Sequence, residues 1–210
     1  MLHLVARSRQ RQLVDRFIDA IKALEGAYSL VCLTTKKMIG ARDPLGIRPL
    51  VLGELNGAYI LSSETCALDI IGARFVREIE NGEVVVITEA GVQSIKPFPA
   101  QRPRPCIFEY IYFSRPDSII GGRSVYQVRK EMGRELAREV KAEVDVVIPV
   151  PDTSRTSALP LAYELEVKYR EGFIKNRYIG RTFIMPGQEQ RKRSVRQKLN
   201  AIDLEFRRKN

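Results

Sequence analysis

A strongly basic stretch between Phe173 and Asn200 is the part of the sequence whose residue types most clearly suit chemistry. It holds eight cationic side chains and a single acid, Glu189. The cationic residues are Lys175, Arg177, Arg181, Arg191, Lys192, Arg193, Arg196 and Lys198. A stretch of one sign suits an anionic partner such as phosphate, pyrophosphate or nucleic acid. The alternative is a basic loop and helix that are only solvated surface.

A second group of polar side chains lies upstream, in a turn between a predicted strand and a predicted helix. Residues 144–150 (VDVVIPV) are apolar and β-branched, as in a strand buried on both faces of a parallel sheet. Asp152, Thr153 and Ser154 follow, and a helix is predicted from about Thr156. Turns at this end of a strand bind ligands in α/β proteins, and oxygen side chains there suit Mg²⁺. The alternative is that these residues only cap the helix.

The two groups together are more informative than either alone. The basic stretch begins one element after the turn. An acidic and hydroxyl-bearing turn near a basic loop, in one α/β domain, predicts a site for Mg²⁺ and pyrophosphate.

The elements that must position these groups change in kind near residue 100. Before it the pattern predicts an α+β arrangement of hairpin-connected strands and two helices. The predicted elements are a helix over 8–24, strands over 28–34 and 38–42, a hairpin over 51–62, a helix over 65–70, and strands over 74–79, 83–88 and 92–95. Prolines at 97, 99, 103 and 105 predict a linker.

Beyond the linker the pattern predicts an α/β domain. A strand is predicted over 106–113 (CIFEYIYF), and a helix with apolar residues at helical spacing begins after Ser124. The strand over 144–150 and the helix after it then make a β-turn-α step. We therefore predict two domains, 1–100 and 101–210, of α+β and then α/β class.

One further loop carries charged residues, between Arg42 and Leu50. Two prolines and a glycine give it a defined shape. Arg42, Asp43 and Arg48 are predicted to form a buried ion pair that holds the loop, a structural rather than a catalytic role.

The bulk properties exclude several classes of protein. The net charge of +10 over 210 residues favours anionic ligands. Three widely spaced cysteines without a CxxC pair indicate a reducing compartment. The chain shows neither a secretory leader nor an apolar run long enough to cross a membrane, so we predict a cytoplasmic protein.

Five runs of the sequence resemble the amidophosphoribosyltransferase family, also called glutamine phosphoribosylpyrophosphate amidotransferases. The runs are RDPLGIRPLVLG, SSETCALD, FEYIYFSRPDS, DVVIPVPDTS and KNRYIGRTFIMPGQ. The family joins an N-terminal-nucleophile (Ntn) glutaminase domain of αββα type to a type I, Rossmann-like phosphoribosyltransferase domain. The resemblance implies synthesis of 5-phosphoribosylamine from glutamine and phosphoribosyl pyrophosphate, the first committed step of purine synthesis. It also implies Mg²⁺, inhibition by purine nucleotides, and a homo-oligomer.

The resemblance assigns roles to residues around the turn and the basic stretch. Thr153 matches a hydroxyl ligand of Mg²⁺. Lys175 matches a phosphate contact for the substrate or an inhibitory purine nucleotide, in a mobile loop that also carries Arg177 and Arg181. These three cationic residues are the predicted substrate and nucleotide contacts.

Three further positions match family features. Tyr178 and Ile184 match the wall of a channel that carries ammonia between the two sites. Cys106 matches a position that ligates a 4Fe–4S cluster in some members, although a plain core cysteine is the favoured interpretation.

Two parts of the family pattern are missing from these 210 residues. None of Cys32, Cys66 and Cys106 matches the nucleophilic cysteine, and the sequence contains no Asp-Asp pair, which forms the family's pyrophosphate signature. We therefore assign no catalytic residue and expect an interior fragment, inactive when expressed alone.

Two alternatives from other classes are kept. The first is a basic nucleic-acid-binding protein, which the charge favours but the lack of zinc-finger, RNP and KH motifs opposes. The second is a non-catalytic regulatory subunit that pairs with an intact copy of the enzyme.

Overall fold

A computed structural model describes residues 1–180, 182, 184 and 186–207. The chain divides into two compact units, Met1–Val125 and Tyr126–Asn210. Arg181 lies outside the described residues, so its predicted role has no structural account. The predicted domain boundary after residue 100 stays a prediction, while residues 104–124 pack in the first unit.

The first unit contains three helices and nine strands among the described residues. They are α1 (Leu2–Arg7), α2 (Leu13–Lys22), β1 (Ser29–Leu33), β2 (Met38–Arg42), β3 (Val51–Leu55), β4 (Ala58–Ser62), α3 (Thr65–Ile70), β5 (Arg74–Glu78), β6 (Val84–Thr88), β7 (Gly91–Ile95), β8 (Ile119–Ile120) and β9 (Arg123–Ser124). A π-helical turn, Glu109–Phe113, precedes β8.

Two antiparallel sheets organise this unit. The first has the order β1-β2-β6-β7 and the second β4-β3-β5. The β3–β4 hairpin turns at Asn56 and Gly57, whose φ angles of 50° and 83° suit the predicted Asn-Gly turn. Apolar side chains from the strands and from α2 form the cores of the unit. The strand-rich, hairpin-connected arrangement predicted from the sequence is therefore confirmed.

Three predictions need correction in this unit. The helix predicted over residues 8–24 is α2, which spans Leu13–Lys22; Ser8 lies outside it, and its hydroxyl donates to Asp19 at 2.7 Å. The apolar, β-branched composition of residues 28–34 predicts a buried strand, but in β1 Val31 is 53% and Leu33 78% exposed. It forms the edge of its sheet, where one strand face is open to solvent.

The strand predicted over residues 106–113 is wrong, because the segment is helical. A short apolar run with aromatic residues does not distinguish a strand from a helical turn. Here the Ser114 amide donates to the Glu109 carbonyl at 3.0 Å, and the buried Glu109 carboxylate forms an ion pair with the partly exposed Arg48. The first bond closes the turn locally, whereas the second partner, Arg48, is remote in the sequence and does not enter the local pattern.

The second unit alternates helices with short strands. Its elements are α4 (Val125–Glu139), β10 (Val146–Val147), α5 (Arg155–Glu164), β11 (Lys168–Tyr169), β12 (Phe173–Lys175), α6 (Gln188–Lys198) and β13 (Leu199–Ala201). A 3₁₀ turn follows at Asp203–Glu205.

The β-turn-α step predicted in this unit is present. β10 and β11 pair in parallel, and α5 connects them. The strand is shorter than predicted, however, and its two residues are only half-buried. β12 and β13 form a separate antiparallel pair that brings both ends of the basic stretch together.

Candidate phosphate and metal site

The turn between β10 and α5 holds the predicted polar group. The Ser154 hydroxyl donates to the carbonyl of Val150, so it closes the turn on itself. Ser154 is the N-cap of α5, yet no side-chain capping hydrogen bond forms there. The alternative that these side chains only cap the helix is therefore not what the geometry favours.

The acidic turn and the basic stretch meet at one hydrogen-bonded ion pair. Lys175, the last residue of β12, places its Nζ 2.7 Å from Oδ2 of Asp152. The pairing of Lys175 with Leu199 of β13 fixes the backbone beneath it. The side chains of Lys175 and Asp152 are 28% and 41% exposed, so solvent reaches both partners.

A second cation approaches the same carboxylate. Arg155 Nη1 lies 3.4 Å from Oδ1 of Asp152, and its Nη2 lies 3.1 Å from the Glu171 carboxylate. The Tyr169 hydroxyl donates to the other oxygen of Glu171 at 2.7 Å. Charges therefore alternate from Lys175 through Asp152 and Arg155 to Glu171, and each ionised group has an opposite neighbour.

These contacts shift two pKa values. The hydrogen bond from Lys175 lowers the pKa of Asp152 below its ordinary value; partial burial opposes this, and the charges of Lys175, Arg155 and Arg177 reinforce it. Burial first, and then the neighbouring Glu171 carboxylate, raise the pKa of Tyr169 to about 12. At neutral pH the cluster therefore holds an ionised Asp152 and an uncharged Tyr169.

Thr153 and Asp152 are the oxygen donors that could face a metal. Thr153 is half-buried, and no described residue hydrogen-bonds its hydroxyl. Mg²⁺ prefers six oxygens and usually takes only one or two from protein carboxylates when it binds with phosphate. The described residues bring no cluster of three or more His, Cys, Asp or Glu side chains together. This donor pair fits a Mg²⁺ ion held mainly by ligand phosphate and water.

The predicted loop residues beyond Lys175 are open to solvent. Arg177 is exposed and adds its charge to the potential at Asp152. Tyr178 is 98% and Ile184 73% exposed. Among the described residues neither side chain lines a channel. Their roles as residues of the ammonia channel stay predictions.

The second half of the basic stretch differs from the first. Helix α6 has no buried residue. Lys192, Arg193 and Arg196 line an open hollow of about 380 Å³ on its surface. None of the three forms an ion pair with a described residue. The geometry of α6 agrees with the alternative interpretation, a basic surface that is only solvated.

Cys106 carries no evidence of a cluster. Its thiol is free and half-buried, at the start of the helical segment that precedes Ser114. Within the described ranges no second cysteine joins it in a metal-binding group.

Sequence reasoning missed the contributions of Arg155 and Glu171. Arg155 lies three residues after Asp152 at a helix start, a spacing that places the two side chains side by side. That signal was available in the sequence. No sequence signal pointed to Glu171, because its position beside Arg155 depends on the tertiary placement of β11.

Comparison with protein families finds a match in the first third of the chain. Residues 2–69 match the model of a glutamine amidotransferase domain. No helix in the described residues has the length and apolar character needed to cross a membrane.

Comparison with curated proteins covers almost the whole chain. It is 53% identical over 206 residues to an amidophosphoribosyltransferase of Rhizobium etli, which covers 96% of this chain and 42% of the relative. It is 54% identical over 196 residues to the enzyme of that name from Pseudomonas aeruginosa, covering 88% and 39%. The chain therefore spans about two fifths of the length of these relatives.

A solved structure gives the same result. The glutamine phosphoribosylpyrophosphate amidotransferase of B. subtilis, complexed with ADP and GMP, superposes with a TM-score of 0.84 at 44% identity. The match covers 96% of this chain and 44% of that chain. The mixed α/β content is thus that of a known structure, and the chain is a homologue of the amidophosphoribosyltransferases, as its motifs predict.

Proposed function

We propose that the protein carrying this chain forms 5-phosphoribosylamine from glutamine and phosphoribosyl pyrophosphate, in the first committed step of purine biosynthesis. The observation that carries this proposal is the similarity of 96% of the chain, at 53% identity, to a relative of that name. Residues 1–100 would be part of an Ntn glutaminase domain, and residues 101–210 part of a type I phosphoribosyltransferase domain. Three free cysteines agree with a reducing compartment such as the cytoplasm.

Lys175 is the residue with the clearest part in this reaction. Its ammonium group reaches the turn between the parallel strand β10 and the N-terminus of α5, where it lies 2.7 Å from Asp152. Both features favour a phosphate group there, since the ammonium supplies charge-assisted hydrogen bonds and a helix N-terminus carries partial positive charge. Arg177, exposed two residues later, adds positive charge toward the same ligand.

Thr153 and Asp152 are the residues that would hold the metal. When Mg²⁺ is bound with the substrate, it neutralises charge on the pyrophosphate as that group leaves. The protein's own contribution is to orient the phosphates through Lys175 and to present two oxygens from a closed turn. A purine nucleotide that inhibits the enzyme would use the same ammonium group for its phosphate.

Replacement of Lys175 by Met in the full-length protein tests this proposal. We expect the KM for phosphoribosyl pyrophosphate to rise about 10- to 100-fold, because a charge-assisted hydrogen bond contributes about 1.5–3 kcal/mol. Initial rates of 5-phosphoribosylamine formation give the measurement. Lys141→Met is the matched control, since Lys141 is exposed and outside the site, and its KM should stay within about twofold of wild type. Absence of product from the wild-type protein, or an unchanged KM in Lys175→Met, would contradict the proposal.

The nucleic-acid alternative keeps one supporting observation, the exposed cations of α6. A protein that neutralises several phosphates loses affinity steeply as salt rises. Binding to duplex DNA that is weak at 50 mM salt and lacks this steep dependence would remove the alternative.

A further inference from the structure

The Lys175 ammonium group, which is proposed to bind phosphate, already donates a hydrogen bond to the Asp152 carboxylate. We propose that the Asp152 carboxylate is an internal competitor: phosphate must displace it from Lys175, and a divalent cation that takes up the carboxylate promotes phosphate binding. This inference rests on the proposed function, because it needs Lys175 to be a phosphate contact. It adds a regulatory role for Asp152, to which the family resemblance assigned none.

The geometry leaves the pair accessible to a competing ligand. Lys175 Nζ lies 2.7 Å from Asp152 Oδ2, so the shortest contact of the ammonium group is to an anion of the protein itself. Both side chains are partly exposed, at 28% and 41%. An exposed ion pair between a flexible lysine and a carboxylate contributes little net free energy, so a ligand with more charge can replace the carboxylate.

The surrounding charges decide the sign of the effect. Asp152 faces the cations Lys175, Arg155 and Arg177, while Glu171 engages Arg155 from the other side. The carboxylate thus reduces a positive potential that would otherwise attract phosphate. One unit charge about 6 Å from a phosphate changes its affinity by about three- to tenfold at an effective dielectric constant of about 40–80, as for groups as exposed to solvent as these.

A competing interpretation gives the opposite sign. If Asp152 only held the lysine side chain in the orientation that phosphate needs, removing the carboxylate would weaken binding. We favour competition because Lys175 is already ordered by its strand: its backbone pairs with Leu199, and the neighbouring Asn176 amide donates to the Lys198 carbonyl at 2.7 Å. Only the outer part of the side chain depends on Asp152.

The divalent cation is proposed to bind the same carboxylate. Asp152 and the unpartnered hydroxyl of Thr153 are the two oxygens that fit Mg²⁺ in this turn. A cation bound to Asp152 releases Lys175 for phosphate, and phosphate on Lys175 releases Asp152 for the cation. The two affinities must then rise by the same factor, because coupling between two binding sites is reciprocal.

Calorimetric titration of the full-length protein with ribose 5-phosphate tests the inference. This phosphate monoester is used because it holds Mg²⁺ only weakly in solution. Wild type and Asp152→Asn are compared in EDTA and again in Mg²⁺. The control is Glu164→Gln, which removes the same charge at the far end of α5, about 15 Å along the helix axis from the site.

The expected result in EDTA is an affinity about three- to tenfold tighter in Asp152→Asn than in wild type, with Glu164→Gln within about twofold. Addition of Mg²⁺ should tighten binding by a larger factor in wild type than in Asp152→Asn. Any metal bound elsewhere in the protein acts on both, so the difference between the two factors isolates Asp152.

Two outcomes would overturn the inference. Unchanged or weaker binding in Asp152→Asn, with Lys175→Met still much weaker than wild type, would refute competition and leave the phosphate site intact. If neither Lys175→Met nor Asp152→Asn altered binding, the proposed phosphate site would fail together with the inference.

Discussion

Two turns in this molecule place an aspartate next to a proline and near arginines, yet they use the carboxylate in opposite ways. Asp43 follows β2 in the first unit, and Asp152 precedes α5 in the second. Asp43 is 1% exposed, whereas 41% of the Asp152 side chain is exposed. The difference in burial goes with a difference in partners.

The Asp43 carboxylate accepts its hydrogen bonds from the backbone of its own loop. It accepts hydrogen bonds from the amides of Leu45, Ile47 and Arg48 at 3.0–3.1 Å. The loop requires glycine at position 46, since Gly46 has φ +63° and a Cβ there would lie 1.9 Å from Asn81 Oδ1. Backbone partners held in this way leave no room for a ligand.

The Arg42 side chain completes this closed turn. It donates to the carbonyls of Arg48, Ile79 and Gly46 and lies 3.5 Å from the Glu78 carboxylate. The predicted ion pair among Arg42, Asp43 and Arg48 is therefore wrong in its partners, because side-chain to backbone hydrogen bonds hold the loop instead. Its predicted structural role agrees with this geometry.

The Asp152 carboxylate interacts with side chains that can move away from it. Its neighbours Lys175 and Arg155 are long and partly exposed, and each can turn to another anion. The comparison shows that the same residue types become structural or exchangeable according to burial and according to whether the partner is backbone or side chain.

The largest effect that would sharpen this comparison is on stability. Asp43→Asn should lower the free energy of unfolding by about 2–4 kcal/mol, because an amide NH₂ would face a buried backbone N–H that loses its acceptor. Asp152→Asn should lower it by less than about 1 kcal/mol, as for exposed ion pairs. Urea unfolding of the full-length protein, followed by circular dichroism, measures both.

Equal losses for the two variants would break the comparison. Unchanged slopes of free energy against urea concentration serve as the control, since they show that both variants unfold from similarly compact states.

A smaller effect is expected in acid. Because the pKa of Asp152 is lowered in the folded state, its ion pair stabilises the protein above the unfolded pKa of about 3.9 and loses this contribution as the pH falls through the lower, folded value. The stability difference between wild type and Asp152→Asn should thus shrink between about pH 5 and pH 2. Urea midpoints at several pH values give the measurement, and a difference that grows in acid would contradict the assignment.

Much of this arrangement could be predicted from local patterns, and the exceptions have physical causes. The β3–β4 hairpin followed from Asn56-Gly57, and the β-turn-α step followed from the apolar run before Asp152. The helical segment around Glu109 could not be predicted, because the ion pair of its buried carboxylate with Arg48 is a tertiary contact. The strand before Asp152 is also shorter and less buried than its composition suggested.

The candidate site shows the same limit. The pattern predicted that an acidic turn and a basic loop share one domain, and the roles of Thr153 and Lys175 came from the family resemblance. Which cation meets Asp152, and that Glu171 engages Arg155, depend on tertiary placement of β11 and β12. Local periodicity carries no information about such contacts.

A crystal structure of the full-length protein with ribose 5-phosphate tests the exchange at Lys175 most directly. The account predicts a phosphate oxygen about 2.8–3.0 Å from Lys175 Nζ, with the Asp152 carboxylate moved beyond hydrogen-bond distance of the ammonium group. An intact Lys175–Asp152 hydrogen bond in the presence of bound phosphate, or phosphate bound away from Lys175, would contradict it.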